Sequence, residues 1–368
     1  HVTERARQVV NDGMDVIGGK GICLGPSNFM GRAYQQVPIG ITVEGANILT
    51  RSLIIFGQGA IRCHPFLLAE MQAAQNPDLN KGLVDFDKAL WAHVGFTIKN
   101  GFRALWLGMT GSHFVAVNVE TAPEMRRYYQ QMTRFSAAFA FMSDISLLVL
   151  GGSVKRREKL SARLGDILSQ MYLISCTLKR YEEEGRKAED APLAHWAIWD
   201  AMYKAQEAFD GVIANFPVRF IAAFLQRSIF PWGHPYVVPS DEVGHQVAKL
   251  LIAPSATRDR LTAECFIPQT DKEPVGAIEL ALLATLEAEA IEAKIRVAEK
   301  DGRFENNPQA NVRDIAIVAA EYGVITAAEF EVMKRRNALR DIVVHVDDFP
   351  FDYGVATANK PAESRMAA

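Results

Sequence analysis

A single carboxylate followed by glycine stands at the entrance of a long apolar segment. Glu44 and Gly45 come immediately before a stretch that runs to Pro65. From Asn47 onward apolar residues recur at helical spacing, which predicts a helix buried on most sides. The carboxylate is either a first-turn acid, favoured by the positive end of the helix, or a general base whose proton affinity rises when substrate excludes water. The residues alone leave both interpretations open.

The elements before this carboxylate are a helix and a loop. Val2 to Ile17 carries apolar residues at helical offsets, and Gly18-Gly19 ends it in the manner of a C-cap. Leu24 to Gln36 is predicted as a loop, because Gly25 to Asn28 is typical turn chemistry. Pro38 disfavours helix at the residue before it.

The order of four features resembles a known family. Gly18-Gly19-Lys20-Gly21 closes the first helix, and Arg32 precedes a short loop. Glu44-Gly45 then heads the next helix, with Arg51 one or two turns further on. This order and spacing resemble the end of the catalytic unit of acyl-coenzyme A dehydrogenases. The remainder resembles the C-terminal helical extension of the large bacterial fatty-acyl-CoA dehydrogenases.

The resemblance implies a flavin site at the end of the first helix. In this family that helix end lies against the adenosine diphosphate part of FAD, which is bound largely by a neighbouring subunit. The residues that match this position are Asp15, Val16, Ile17, Gly18 and Gly19. Glycine permits a backbone approach that a side chain would block. Asp15 departs from the family, in which Gln is frequent, and an acid near a pyrophosphate is unfavourable unless it points away.

The resemblance also implies a reaction. Glu44 would remove the pro-R α-proton of a fatty acyl-CoA while the β-hydrogen passes as hydride to flavin N5, giving a trans-2-enoyl-CoA in the first step of β-oxidation. Gly45 would be the substrate-binding position, since it leaves room for the acyl chain beside the flavin. Ala46 would contact the cofactor where many relatives carry Thr, so one hydroxyl contact is absent. An electron-transfer flavoprotein would accept the electrons, and no metal is expected.

Two alternatives remain beside the dehydrogenase. One is an acyl-CoA oxidase-like flavoenzyme, and the other is a non-catalytic helical interaction module in which Glu44 is a simple first-turn acid. Because the chain starts at His1 inside a helical pattern, we expect a fragment that lacks the middle β-domain and the first helices. Such a fragment is expected to be flavin-free and inactive alone, and to assemble as a homo-oligomer.

Composition describes an ordinary globular protein. The net charge of −3 gives no electrostatic case for a nucleic-acid partner. Four widely spaced cysteines indicate reduced thiols, and a cytoplasmic location is expected, with at most peripheral contact with the inner membrane. The glycines near Gly18 fit neither the Walker pattern nor the dinucleotide fingerprint. The most apolar run, Phe135 to Leu150, is interrupted by serines and an aspartate, which favours a buried bundle helix.

Helical periods dominate, so the expected fold is all-α. We predict the end of the acyl-CoA dehydrogenase helical bundle at residues 1–75, an additional helical domain at 76–345 and a tail at 346–368. One long helix is expected to turn five residues inward: Leu160, Leu164, Leu168, Met171 and Leu178. Thr326 and Glu329 have the spacing of a capping box. His64, beside Pro65, is typical of a structural or capping histidine.

Overall fold

The computed structural model describes residues 1–43, 45–118, 120–304 and 314–349. Helices dominate this part of the chain and no strand occurs in it, which confirms the all-α prediction. The α-helices are α1 Val2–Ile17, α2 Met30–Thr42, α3 Asn47–Leu49, α4 Gly59–Cys63, α5 Leu67–Ala74, α6 Leu79–Met109, α7 Arg126–Leu150, α8 Glu158–Glu183, α9 Ala191–Ala214, α10 Arg219–Ile229, α11 Asp241–Ile252, α12 Ala256–Thr262, α13 Pro274–Lys300, α14 Ile315–Glu321 and α15 Ala327–Val344. A π-helix, Thr50–Gln58, joins α3 to α4.

The chain forms two compact units, one of which is built from both ends of the sequence. Unit 1 comprises His1–Ile41 and Thr262–Ala368, and unit 2 comprises Thr42–Leu261. The boundaries predicted at residues 75 and 345 were drawn from the resemblance to the family, whereas the two units are defined by contacts within the chain. The predicted boundaries stay a prediction.

The core of unit 2 lies between α7, α8 and α9. Phe135 from α7, Leu164 from α8 and Phe209 from α9 are each at most 2% exposed. Phe135 and Phe209 stack with their ring centroids 5.9 Å apart. Leu168, expected in this core, is 39% exposed, and its neighbour Ile167 is fully buried instead. An α-helix has 3.6 residues per turn, so repeated steps of four residues move away from the buried face. After Leu160 and Leu164 the next inward position on α8 is therefore Ile167 and not Leu168.

One helical segment of the described chain, Pro123–Arg156, is long and apolar enough to cross a membrane by length and composition. It also carries buried polar groups with specific partners. Arg134 is 6% exposed and donates to the carbonyl of Ile229 at 3.0 Å, while Asp144 is 3% exposed and accepts two hydrogen bonds. Buried polar groups with protein partners indicate a helix packed within unit 2, in agreement with the predicted bundle helix.

Unit 1 is organised around α13, α14 and α15. Ala288 and Ile295 of α13 pack in one cluster with Ala319 and Met333, all at most 2% exposed. The predicted capping box at the start of α15 is confirmed, since Thr326 Oγ1 accepts from the Glu329 N–H and the Glu329 carboxylate accepts from the Thr326 N–H.

The N-terminal part of unit 1 is tied to its C-terminal part. Lys20 Nζ donates to the Val343 carbonyl at 2.6 Å, and the Ser27 N–H donates to Asp347 Oδ1 at 3.1 Å. Asp347 is 9% exposed, so the segment after α15 lies against the loop after α1 as an ordered arm.

The loop predicted for Leu24 to Gln36 is wrong from Met30 onward, because α2 begins there. The expectation that Pro38 disfavours helix at Val37 is also wrong, since both residues lie inside α2. Asn28 explains the early start. Its side chain is buried, accepts from the Gly31 N–H at 2.8 Å and donates to the carbonyl of Gly21 at 2.7 Å. An asparagine side chain that accepts from a free N–H of the first turn stabilises the start of a helix. This hydrogen bond favours the helix more strongly than Gly25 and Pro26 favour a continued loop.

Candidate active site

The predicted catalytic residue, Glu44, lies outside the described residues. The backbone directly after it has a definite conformation. Gly45 has φ +81°, and its carbonyl accepts from Thr50 Oγ1 at 3.3 Å. Because a side chain at this φ is strained, glycine is required here by the backbone. Ala46 is the N-cap residue of α3, and its carbonyl accepts from the Thr50 N–H at 3.0 Å.

The apolar segment after Ala46 differs from the expected buried α-helix. Its middle is the π-helix, and Ile48, Leu49 and Ile54 are 72%, 47% and 39% exposed. The prediction of a helix buried on most sides is therefore wrong, since Phe56 at 3% is the only large apolar side chain of the described segment that is fully buried. Each π turn holds more than four residues, so apolar residues placed for an α-helix no longer share one face. π-Helical insertions are frequent at functional sites.

An ion pair anchors this π-helix to α8. Arg51 Nε donates to Asp166 Oδ1 at 2.7 Å, and Arg51 Nη2 donates to Asp166 Oδ2 at 2.5 Å. The hydrogen bond to Asp166 raises the pKa of Arg51 above its ordinary value. A planar two-point contact fixes direction as well as distance. Arg51 therefore positions the segment that follows the Glu-Gly pair.

The predicted flavin residues form the end of α1 and the turn after it. Asp15, Val16, Gly18 and Gly19 are exposed, and Ile17 is half-buried against Gly21. Gly18 has φ +56°, and a Cβ placed on either glycine would meet no atom within 4 Å. Open backbone of this kind fits the close approach of a dinucleotide. The exposed carboxylate of Asp15 is the one feature of this turn that opposes a pyrophosphate.

The predicted site residues fall into two groups. Asp15 to Gly19 belong to unit 1, whereas Gly45 and Ala46 belong to unit 2. The structure describes the backbone of each group by itself and does not bring the two groups together in one unit. The roles given to these residues stay predictions. Arg32 is exposed on α2, so it lies in a helix and not in the loop predicted for this segment.

A buried cluster of titratable side chains in unit 2 escaped the sequence analysis. His64 Nε2 and Asp144 Oδ1 are 2.9 Å apart, Thr97 Oγ1 donates to Asp144 Oδ2 at 2.8 Å, and His93 Nε2 lies 3.6 Å from Asp144 Oδ1. His93 Nδ1 faces Glu70 Oε1 at 2.8 Å. Glu70 lies on α5, His93 and Thr97 lie on α6, Asp144 lies on α7, and His64 lies between α4 and α5. No short motif links these residues, so the cluster has no signal in the sequence.

The ligand atoms of His64, His93 and Asp144 are close enough together for a metal ion. The hydrogen bonds favour another arrangement. His64 Nδ1 accepts from the N–H groups of Phe66 and Leu67, both at 3.2 Å, so the ring proton of a neutral His64 must sit on Nε2 and point to Asp144. A metal-bound histidine donates from its other nitrogen. The geometry of His64 therefore indicates a helix cap and a carboxylate partner, which confirms its predicted capping role.

The chain belongs to the family described as acyl-CoA dehydrogenase, C-terminal, bacterial type, whose sequence model matches residues 61–349. This match confirms the resemblance of the C-terminal part. The predicted site residues, from Asp15 to Ala46, precede the matched range. No solved structure matches the chain.

Proposed function

We propose that this chain contributes the catalytic glutamate, Glu44, to a FAD-dependent dehydrogenase that converts fatty acyl-CoA to trans-2-enoyl-CoA. The observation that carries the proposal is the backbone at Gly45, whose φ of +81° turns the chain directly after Glu44 and before the π-helix. The family supports the general activity, and the Gly-Gly-x-Gly and Glu-Gly pattern supports the assignment of the base.

The work of Glu44 is proton transfer from carbon. The α-proton of a thioester is a weak acid, so the carboxylate needs a site that excludes water and a partner for the carbonyl oxygen as charge develops there. The absence of a side chain at Gly45 leaves space beside this carboxylate for the acyl chain. The Arg51–Asp166 pair anchors the segment that follows the Glu-Gly pair to α8.

The flavin residues of this chain would act through their backbone. Gly18 and Gly19 offer open main chain to the adenosine diphosphate part, and Ala46 would pack near the flavin ring without adding a hydroxyl contact. When bound, FAD supplies the acceptor for the hydride that leaves the β-carbon. An electron-transfer flavoprotein would take the electrons onward. The assembly would be a homo-oligomer in the cytoplasm, since in this family a neighbouring subunit completes the flavin site.

The test uses the complete natural protein that contains this chain. Palmitoyl-CoA added without oxygen should bleach the oxidised flavin band, and Glu44→Gln should abolish the bleaching while acyl-CoA binding persists. Glu120→Gln, an equivalent change at an exposed glutamate in a connector, should bleach normally. Normal bleaching of the flavin band in the Glu44→Gln variant would refute the assignment of Glu44 as the base. Hydrogen peroxide at each turnover in air would point to an oxidase, and a colourless protein would leave a non-catalytic helical module.

A further inference from the structure

Exposed aromatic side chains gather on one part of unit 2. They lie on the C-terminal half of α6, on α10 and on the loop after α10: Phe102, Trp106, Phe220, Phe224 and Trp232. Each is between 55% and 78% exposed. Side chains of this size are normally buried, and a contiguous group of them marks a surface that meets a partner. We call this group, with the bases described below, the aromatic–basic face.

Packing joins the three elements of this face. Phe141 of α7 lies under Gly101 of α6 and meets Phe224 of α10 edge to face, with ring centroids 5.9 Å apart. Trp232 Nε1 donates to the carbonyl of Met109, the last residue of α6, at 3.0 Å. This hydrogen bond satisfies the only polar group of the indole, so the exposed part of Trp232 is wholly apolar.

The charged side chains on the C-terminal half of α6, on α10 and on the loop after it are all basic, and the nearby carboxylate of Asp210 is paired with His234 Nδ1 at 2.9 Å. Lys99 and Arg103 are exposed on α6, and Arg219 and Arg227 are exposed on α10. The sequence has no Asp or Glu from Lys88 to Val119 or from Gly211 to Ser240. Within the described residues none of the four bases forms an ion pair with a carboxylate, and the two arginines of α10 donate to main-chain carbonyls of Ala214 and Ala223.

We propose that the aromatic–basic face docks on the surface of an anionic lipid bilayer. Aromatic rings partition into the interfacial region of a bilayer, and lysine and arginine beside them are attracted to anionic headgroups. A second copy of the chain is a poorer occupant of the same face. A two-fold interface pairs a patch with itself, which would set the four bases against their own copies with no acid between them.

The test is flotation of the purified full chain with vesicles. Vesicles of equal parts phosphatidylglycerol and phosphatidylcholine should bind the protein, vesicles of phosphatidylcholine alone should not, and about 1 M salt should release it, because the Debye length then falls to about 3 Å. One basic residue near an anionic surface is worth about fivefold in partitioning. Lys99→Glu combined with Arg103→Glu should therefore lower the partition coefficient at least tenfold, as should Phe220→Ser combined with Phe224→Ser.

Two matched variants separate this face from general charge and apolarity. Lys155→Glu with Arg156→Glu makes the same charge change at exposed bases after α7, and Tyr172→Ser removes a ring that is 69% exposed on α8. Both should bind anionic vesicles within about twofold of the unmodified chain, since neither belongs to the face. All four variants alter exposed residues, and matching circular dichroism spectra would verify that each is folded.

Three outcomes would overturn the proposal. The first is an unmodified chain that does not float with the anionic vesicles. The second is equal loss of binding in the face variants and their matched controls. The third is a Phe220→Ser, Phe224→Ser variant that binds vesicles normally but differs from the unmodified chain in the molecular mass measured by light scattering. That result would mean that a second copy of the chain occupies the face. None of these readouts depends on flavin or turnover, so failure here leaves the proposed activity untouched.

Discussion

Replacing Asp144 by alanine should destabilise unit 2 more than any surface substitution. The carboxylate is 3% exposed and holds His64, His93 and Thr97 around it. Its loss leaves the His64 Nε2–H buried without an acceptor, whereas Thr97 can still donate to the carbonyl of His93 at 3.1 Å. Leaving the buried His64 donor unsatisfied costs about 1–3 kcal/mol and the lost hydrogen bond from Thr97 adds about 0.5–1.5 kcal/mol, so we expect a total of about 3 kcal/mol. For a unit of this size that cost corresponds to a fall in Tm of roughly 10 °C.

The natural tryptophans make the assay specific for this unit. All five, Trp91, Trp106, Trp196, Trp199 and Trp232, lie in unit 2. Urea unfolding followed by tryptophan fluorescence therefore reports the free energy of unfolding of unit 2. Glu183→Ala is the matched control, because Glu183 is 63% exposed and pairs only with Lys179 one turn away on α8. Its cost should stay below about 0.5 kcal/mol.

Two further measurements could refute this reasoning. Asp144→Asn keeps an acceptor for His64 and should cost clearly less than Asp144→Ala, about 1–2 kcal/mol. An alanine variant within about 1 kcal/mol of Glu183→Ala would show that the network contributes little. Zinc should leave the Tm of the unmodified chain unchanged, because the proton on His64 Nε2 occupies the ligand position. A zinc-dependent rise in Tm that Asp144→Ala removes would replace the hydrogen-bond interpretation with a metal site.

Three other predictions rest on single features. Thr326→Ala should cost unit 1 about 1 kcal/mol, measured by amide hydrogen exchange in α15, since it removes the acceptor for the Glu329 N–H; unchanged exchange would contradict this. Gly45→Ala should cost about 1–2 kcal/mol by urea unfolding, because alanine is strained at φ +81°; a stable variant would mean that the turn has other conformations. Burial lowers the pKa of His195 below its ordinary value of 6.5, so the unfolded chain binds more protons just below pH 6.5. The stabilisation that His195 contributes is therefore present above pH 6.5 and is lost as the pH falls through the folded pKa, by at most about 1.4 kcal/mol per pH unit. His195→Gln should flatten the dependence of the free energy of unfolding on pH in this range. An unchanged pH dependence would refute the assignment of this effect to His195.

The sequence determined the fold class because helical periods persist over long segments. α1 spans the predicted residues, and the capping box at Thr326 is present, since both signals are local. The sequence predicts less well which apolar residues of a helix are buried. Leu168 and Ile167 are adjacent and equally apolar, and only the packing of α8 against its neighbours decides which one turns inward.

The candidate site was predictable only where it depends on local order in the chain. The Gly-Gly turn and the Glu-Gly pair are short motifs with recognisable neighbours. The π-helix after Ala46 could not be predicted from the spacing of apolar residues, because the same spacing fits an α-helix equally well. The His64–Asp144 contact joins residues 80 positions apart, and nothing in the chain between them marks the pairing.

The tie between Lys20 and Val343 has a consequence for how the protein is made. Unit 2 is an insertion within unit 1, and all of its residues are synthesised before α13. Unit 2 can therefore fold during translation, while the segment that carries Gly18 and Gly19 waits for partners more than 200 residues downstream. Closing so long a loop is entropically cheaper once its interior is compact. The glycine turn after α1 should thus become ordered only after Val343 has been synthesised, and translational pauses before that point would lengthen its exposure to proteases.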